Sequence, residues 1–269
     1  MLLSNNNRGM CNRLKSLVSV LRRDPNGKIL WCPTKYLNCR ISHLFTTVID
    51  GNDIERYRKD SGKIVRITEV PSRCEVWSEW RWWLSKGEKK KLGIELADWL
   101  YEDTPKLLIK KILPVINKLV PIEQVQKLIR REKSRIPKDA VGVQVRRWQG
   151  NSKKDKIRRS KFPMQGYLKA MDKLADEGKT FYLTYDSADL RVLYKFKDRY
   201  GKRLIHPDEN NFGMRDRAAM QAAVADMFVC ASLPILIGNQ ISSFPEFTWW
   251  ISQCRTKVIR LPQSRYMHE

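Results

Sequence analysis

The sequence predicts an α/β chain of two Rossmann-like domains, and three observations carry that prediction. From about residue 140 onward strands and helices alternate five times between glycine and proline stops. Residues 1–32 show the same grammar once, as strand, helix and strand. The C-terminal strands open on "AVGVQV", a valine-rich run suited to a strand covered on both faces. With 269 residues and 42% hydrophobic side chains, the chain is long enough to fill two modest cores.

Taken in order, "MLLS" opens as a strand and "NNNRG" is a loop. Residues 11–23 form a helix stopped by "DPNG", and "KILWC" is the next strand. Cys11, Leu14, Leu17, Val18 and Leu21 fall on one helical face, which turns the basic residues of this helix towards water. "KIVRITEV" reads as a further strand. Residues 86–136 are helical and lysine-rich, and "KSRIPKDA" is a linker, which places the domains at 1–136 and 137–269.

In the second half "FPMQGYLKAMDKLADEG" is a helix ended by Gly178, and "TFYLTYD" a strand. "SADLRVLYKFKDRYG" is a helix that Ser187 caps and Gly201 stops, "RLI" a short strand, and "RDRAAMQAAVADMFVCAS" a helix with apolar residues at helical spacing. "PILIG" is a strand, "SFPEFTWWISQC" a helix, and "KVIRL" the last strand. Two such halves leave a cleft between them, and in open α/β sheets ligands sit at the carboxyl ends of the strands.

Composition removes several function classes. Arg13, Lys15, Arg22 and Arg23 interrupt the opening apolar run, so it is not an export signal. No stretch reaches the roughly 18 apolar residues that span a bilayer. Six cysteines without CxxC pairs and three histidines spell neither a disulfide framework nor a zinc site, and fit reduced thiols of a cytoplasmic protein. No metal site is expected. Lysine and arginine outnumber acids 52 to 29, a net charge of +23 that attracts polyanions: nucleic acid, anionic membrane or phosphate-bearing small molecules.

The strongest site candidate is the end of "VGVQVRRWQG", where a buried strand delivers Arg146 and Arg147. Arginine forks bind phosphate oxygens bidentately and hold their charge at any working pH. Asp186 closes the next strand, where a carboxylate accepts hydrogen bonds from a base edge or ribose, or simply shapes the turn. Ser242 and Ser243 precede a helix whose first-turn amides suit a phosphate, although serines there also serve as plain caps. Asp226, in an alanine-rich helix, is an expensive place for a charge unless it is paired, and either orients the arginine loop or faces solvent. Gly9, Asn12, Arg13 and the first-turn amides of the opening helix present donors from the other domain. Asp155, in the lysine-rich loop after the arginines, is the nearest acid for a general base. The tryptophan-rich "VWSEWRWWLSKGEKKK" packs in a core or offers a sugar-stacking or membrane-surface patch.

Taken together, "GMCNRLKSL", "ILWCPTKYLNCRISHLF", "VGVQVRR", "FYLTYDS" and "AAVADMFVCASLPILIGNQISSF" resemble the fucosyltransferase superfamily, the nodulation, core and protein O-fucosyltransferases of GT-B fold. The resemblance does not touch residues 50–135. It implies a GT-B pair of Rossmann-like domains facing across a cleft, with an acceptor-side N-terminal domain and a nucleotide-sugar donor domain at the C-terminus. It sets the family's glycine-rich loop at Gly9 to Arg13 and its His-x-Arg-Arg motif on Gln144, Val145, Arg146 and Arg147, with glutamine in place of histidine. Asp186 then stands where the family's acid contacts guanine, Asp226 on its helix aspartate, and Ser242 and Ser243 on its serine pair over the phosphates.

By this likeness the chain is an inverting, metal-independent fucosyltransferase. Its donor is GDP-fucose or another nucleotide sugar, and its acceptor a glycan or glycolipid. The composition sets the expected place of work in the cytoplasm, with peripheral contact to anionic membrane as an option, and nucleic acid is not the expected partner. The rival reading is a basic nucleic-acid-binding protein without activity, for which the charge and the loop "SKKDKIRRSK" speak. The ordered α/β pattern and the lack of a nucleic-acid module speak against it.

Overall fold

The computed structural model describes residues 2–5, 9–23, 25, 28–31, 37–46, 66–69, 104, 106–146, 153, 156, 163–187, 189–208, 216–239 and 242–261. Two compact units divide between Ile122 and Glu123.

In the first unit, β1 (Leu2–Asn5) leads through Gly9 into α1 (Met10–Arg23), followed by β2 (Lys28–Leu30) and β3 (Arg66–Glu69). The three strands are parallel in the order β2-β1-β3, with Leu3 opposite Lys28 and Leu2 opposite Arg66. The five apolar residues expected on one face of α1 are all buried. Two of its basic residues depart from expectation. Arg13 is wholly buried, its guanidinium 5.2 Å from the centroid of the Trp31 ring, and Lys15 is buried as well. A delocalised cation over an indole face, with its aliphatic stem against apolar neighbours, tolerates burial that periodicity alone does not anticipate. α1 packs against α2 (Lys106–Ile116). The segment after α2 is tied to residues 44–46: the Thr46 amide donates to Val120 at 2.7 Å and the Ile122 amide to Leu44 at 3.1 Å.

The second unit starts with α3 (Glu123–Ser134) and β4 (Val141–Val145). It continues through α4 (Met164–Asp176), β5 (Phe181–Tyr185), α5 (Arg191–Tyr200), β6 (Leu204–Ile205), α6 (Arg217–Cys230), β7 (Ile235–Asn239), α7 (Ser243–Ile251) and β8 (Lys257–Leu261). Its five strands are all parallel in the order β6-β5-β4-β7-β8, so the sheet reverses its direction of growth between β4 and β7. That is the doubly wound arrangement the alternation predicts. Ile136 and Ala140, in the segment read as a linker, are buried in this unit's core beside Tyr182 and Leu236.

Side-chain alternation divides the sheet's two faces. Val141, Val143, Val145, Phe181, Leu183 and Ile237 cluster with Tyr167 and Met171 of α4 and with Leu193 and Phe196 of α5. The opposite face carries Gly142 and Tyr182, packed with Val229 and Cys230 of α6. Gly178 ends α4 with φ 81°, where the Lys179 amide bonds Leu174 at 3.0 Å, as a left-handed glycine stop allows. α5 starts at Arg191, later than the Ser187 cap predicted. The Ser187 hydroxyl instead accepts the Asp189 amide at 3.2 Å, and this local turn delays the helix. α7 likewise ends at Ile251, because Gln253 and Cys254 adopt φ 59° and 61°.

Candidate active site

The carboxyl ends of β4 and β5 bring the first two site residues together. Gln144 lies opposite Thr184 and Val145 opposite Tyr185, so the next residues, Arg146 and Asp186, emerge side by side. Arg146 Nη1 lies 2.6 Å from Asp186 Oδ2, with the arginine side chain 37% exposed and the carboxylate 12%. A half-covered guanidinium braced from one side has its direction fixed while part of its fork still faces outward. Arg147 and Asp155 lie outside the described residues, as do the tryptophan-rich stretch and all of the "SKKDKIRRSK" loop except Lys153 and Lys156.

β7 supplies the other wall. Gly238 is opposite Gln144, and neighbouring strands run about 4.8 Å apart, so the start of α7 follows from the strand next to Arg146. A Cβ at Gly238 would meet Pro245 Cγ at 2.4 Å; only glycine lets α7 come this close to β7. Ser242 caps α7, its hydroxyl accepting the Phe244 amide at 3.4 Å. With that amide taken and Pro245 offering none, this end has fewer amides for an anion than expected. The Ser243 amide and the two serine hydroxyls are what it presents.

Asp226 is brought to neither wall. It is buried under the same face of the sheet, four residues down β5 from Asp186, where the Tyr182 hydroxyl donates to its Oδ1 at 2.7 Å. It does not face solvent. Burial pushes its carboxyl up to about 7, against the Tyr182 hydrogen bond, with Glu132 adding to the rise and Arg135 opposing it. Glu132, also buried, is gripped by Arg131 at 2.9 Å and by Arg135. In the first unit Gly9 accepts the Arg13 amide at 3.2 Å, and Asn12 is half-buried. Gly9 has no positive φ, and a Cβ there would meet nothing within 4 Å, so the turn itself does not demand glycine.

Sequence reasoning missed four buried polar residues, Thr184, Asn239, Tyr167 and Tyr182, whereas Gln144 was among its candidates. Thr184 Oγ1 and Gln144 Oε1, both buried, have no hydrogen-bond partner among the described residues, and neither has Asn239 Oδ1. Tyr167, Tyr182 and Asn239 are wholly buried and make hydrogen bonds to residues distant in sequence. Only "buried strand, polar residue at its end" was available in the sequence to flag Thr184 and Asn239. Among the described residues no group of three His, Cys, Asp or Glu side chains could hold a metal ion, and no helix is long and apolar enough to cross a membrane. Cys230 and Cys254 are free thiols.

The backbone is similar to those of solved fucosyltransferases. Fucosyltransferase NodZ from Bradyrhizobium matches with a TM-score of 0.57 over 96% of this chain and 94% of that chain, at 13% identity. NodZ α-1,6-fucosyltransferase soaked with GDP-fucose matches with 0.55, over 93% and 91%, at 12% identity. The chain has the GT-B fold of these fucosyltransferases. POFUT1 in complex with GDP matches with 0.51 over 97% of both chains, at 9% identity. No family model and no curated protein sequence matches the chain.

Proposed function

We propose that the chain is a glycosyltransferase, an inverting and metal-independent fucosyltransferase that takes GDP-fucose and fucosylates a glycan or glycolipid. The observation that carries this reading is the Arg146–Asp186 pair at the carboxyl ends of two neighbouring strands, beside the point where the sheet reverses and next to the start of α7. Ligands of doubly wound sheets bind at that point. The fucosyltransferase fold supports the choice of chemistry, since solved structures of that fold carry GDP or were soaked with GDP-fucose.

In this reading residues 137–269 hold the donor and residues 1–136 the acceptor. Arg146 and Arg147 grip the diphosphate, and Ser242 and Ser243 donate to it from the start of α7. Gly9 and Asn12 are the first unit's remaining candidates for the ligand, whereas Arg13, wholly buried over the Trp31 ring, supports α1 instead. An open side at Gly9, which a Cβ would not fill, suits a close approach of the ligand to the backbone. Asp186 exchanges partners: it braces Arg146 until donor binds, then accepts from the guanine edge while the diphosphate takes its place on the arginine. Asp226 supports the sheet beneath. The acceptor hydroxyl attacks the anomeric carbon from the face opposite the leaving group and gives its proton to Asp155. The bond from that carbon to the diphosphate oxygen breaks, and GDP leaves with its negative charge held by fixed cations.

Thermal stabilisation tests the reading. GDP should raise Tm more than ADP, UDP or CDP does, in line with mass action on the folded state. Equal shifts with all four, together with a salt-sensitive shift of random DNA that GDP does not compete away, would favour the nucleic-acid-binding alternative.

A further inference from the structure

The two walls of the candidate site are joined by a tyrosine that belongs to neither. Tyr167 lies in the first turn of α4, wholly buried, with its ring in the apolar cluster under β4 and β5. Its hydroxyl accepts from the Arg146 amide at 3.4 Å and from Asn239 Nδ2 at 3.3 Å. Asn239, wholly buried at the end of β7, accepts the Ser242 amide on its main-chain oxygen at 3.2 Å, and the Ser242 hydroxyl accepts the Phe244 amide. A hydrogen-bonded path therefore runs from Arg146 through Tyr167 and Asn239 to the first turn of α7.

Packing does not explain that hydroxyl. Phenylalanine would fill the same apolar space, whereas a buried phenolic oxygen is costly unless it is bonded. Two of its bonds join Arg146 and Asn239, at the ends of adjacent strands where the sheet reverses. Arg146 stands one residue past β4, and Asn239 is the last residue of β7.

We propose that Tyr167 is a positioning residue that sets the spacing between the Arg146 guanidinium and the Ser242–Ser243 hydroxyls, so that both engage one diphosphate. The inference rests on the donor-site reading above. Small misplacements of groups that act together on one ligand are costly in rate and affinity, which gives a buried spacer a function beyond stability.

The test is Tyr167→Phe in the full chain, with GDP and inorganic pyrophosphate binding measured by calorimetry and donor hydrolysis by turnover. Loss of a hydrogen bond of this kind is expected to weaken GDP binding about fivefold and to lower kcat by at least as much. Tyr200→Phe is the control: its hydroxyl donates to Asp172 at 2.9 Å and to Leu168 at 3.3 Å on the same helix, away from the strand ends. That variant should lower Tm and leave GDP binding as it is. A Tyr167→Phe chain that binds both ligands within twofold of the wild type overturns the proposal, whatever its Tm. If the wild type binds pyrophosphate but not GDP, the guanine-donor reading fails while the pyrophosphate comparison still decides the role of Tyr167. Binding of neither overturns both. Should Tyr167→Phe not fold, Asn239→Ser cuts the same path from the other side and is held to the same fivefold expectation.

Discussion

The Tyr182 hydroxyl donates to Oδ1 of Asp226 at 2.7 Å, joining the middle of β5 to α6 inside the C-terminal unit. Burial pushes the Asp226 carboxyl up to about 7, well above the ordinary carboxylate range of the unfolded chain. The folded protein then holds the extra proton, so this group's contribution to stability is full below the ordinary carboxylate pKa, is lost as pH rises from there towards 7, and is absent above it. The slope approaches ~1.4 kcal/mol per pH unit between the two pKa values. Asp226→Asn keeps an oxygen for Tyr182 and removes the titration. Urea midpoints from pH 5 to pH 8 should decline for the wild type and stay level for the variant; a variant that declines as steeply assigns the slope to another group.

Arg146→Lys tests the clamp. Lysine keeps the charge but loses the planar fork that Asp186 braces, and with it bidentate contact to phosphate. GDP affinity should drop about tenfold and turnover about a hundredfold, since the interaction strengthens as charge develops on the leaving group. Kinetics indistinguishable from the wild type would remove Arg146 from the site.

Asp186→Asn separates its two proposed roles. An amide neither braces Arg146 as an ion pair nor accepts in the same way from a guanine edge. The preference for GDP over ADP should shrink by at least about tenfold, the size of a lost charge-assisted hydrogen bond. Pyrophosphate binding should hold or improve, because its arginine is released. If competition binding shows the preference intact, the carboxylate serves the arginine alone.

Gly238→Ala places a methyl 2.4 Å from Pro245 Cγ. Overpacking of this kind costs about 1–3 kcal/mol, and moving α7 away should weaken GDP binding at the same time. Pro245→Ala removes the clashing atom, so the double variant should regain part of both losses. Strictly additive losses in denaturant unfolding would show that the two residues do not press on one another.

The C-terminal unit was legible because its strands are rich in β-branched and aromatic residues and α4 and α5 stop at glycines: every predicted strand of that half is present, and Gly178 adopts the backbone its stop requires. Helix starts were less legible, since Ser187 serves a local turn where a cap was expected. At the site, Arg146 and Asp186 could be placed together by strand order alone. The connecting pieces could not. Tyr167 meets Asn239 across 72 residues of sequence, and Tyr182 meets Asp226 across 44, and nothing local marks either tyrosine as more than core. Arg13 misled for a similar reason: its partner is the Trp31 ring, which helical periodicity does not see.

β4 has a neighbour on either side, but the two arrive at very different times. As the polypeptide leaves the ribosome, β5 and β6 can zip onto one flank of β4, while the other flank waits for Ile235–Asn239, some ninety residues downstream. Until then Val141–Val145 is an apolar ribbon with a bare row of amides and carbonyls, able to recruit a stranger's strand. Nascent chains stalled short of β7 should therefore be sticky and depend on chaperones, even though most of their residues have already been made.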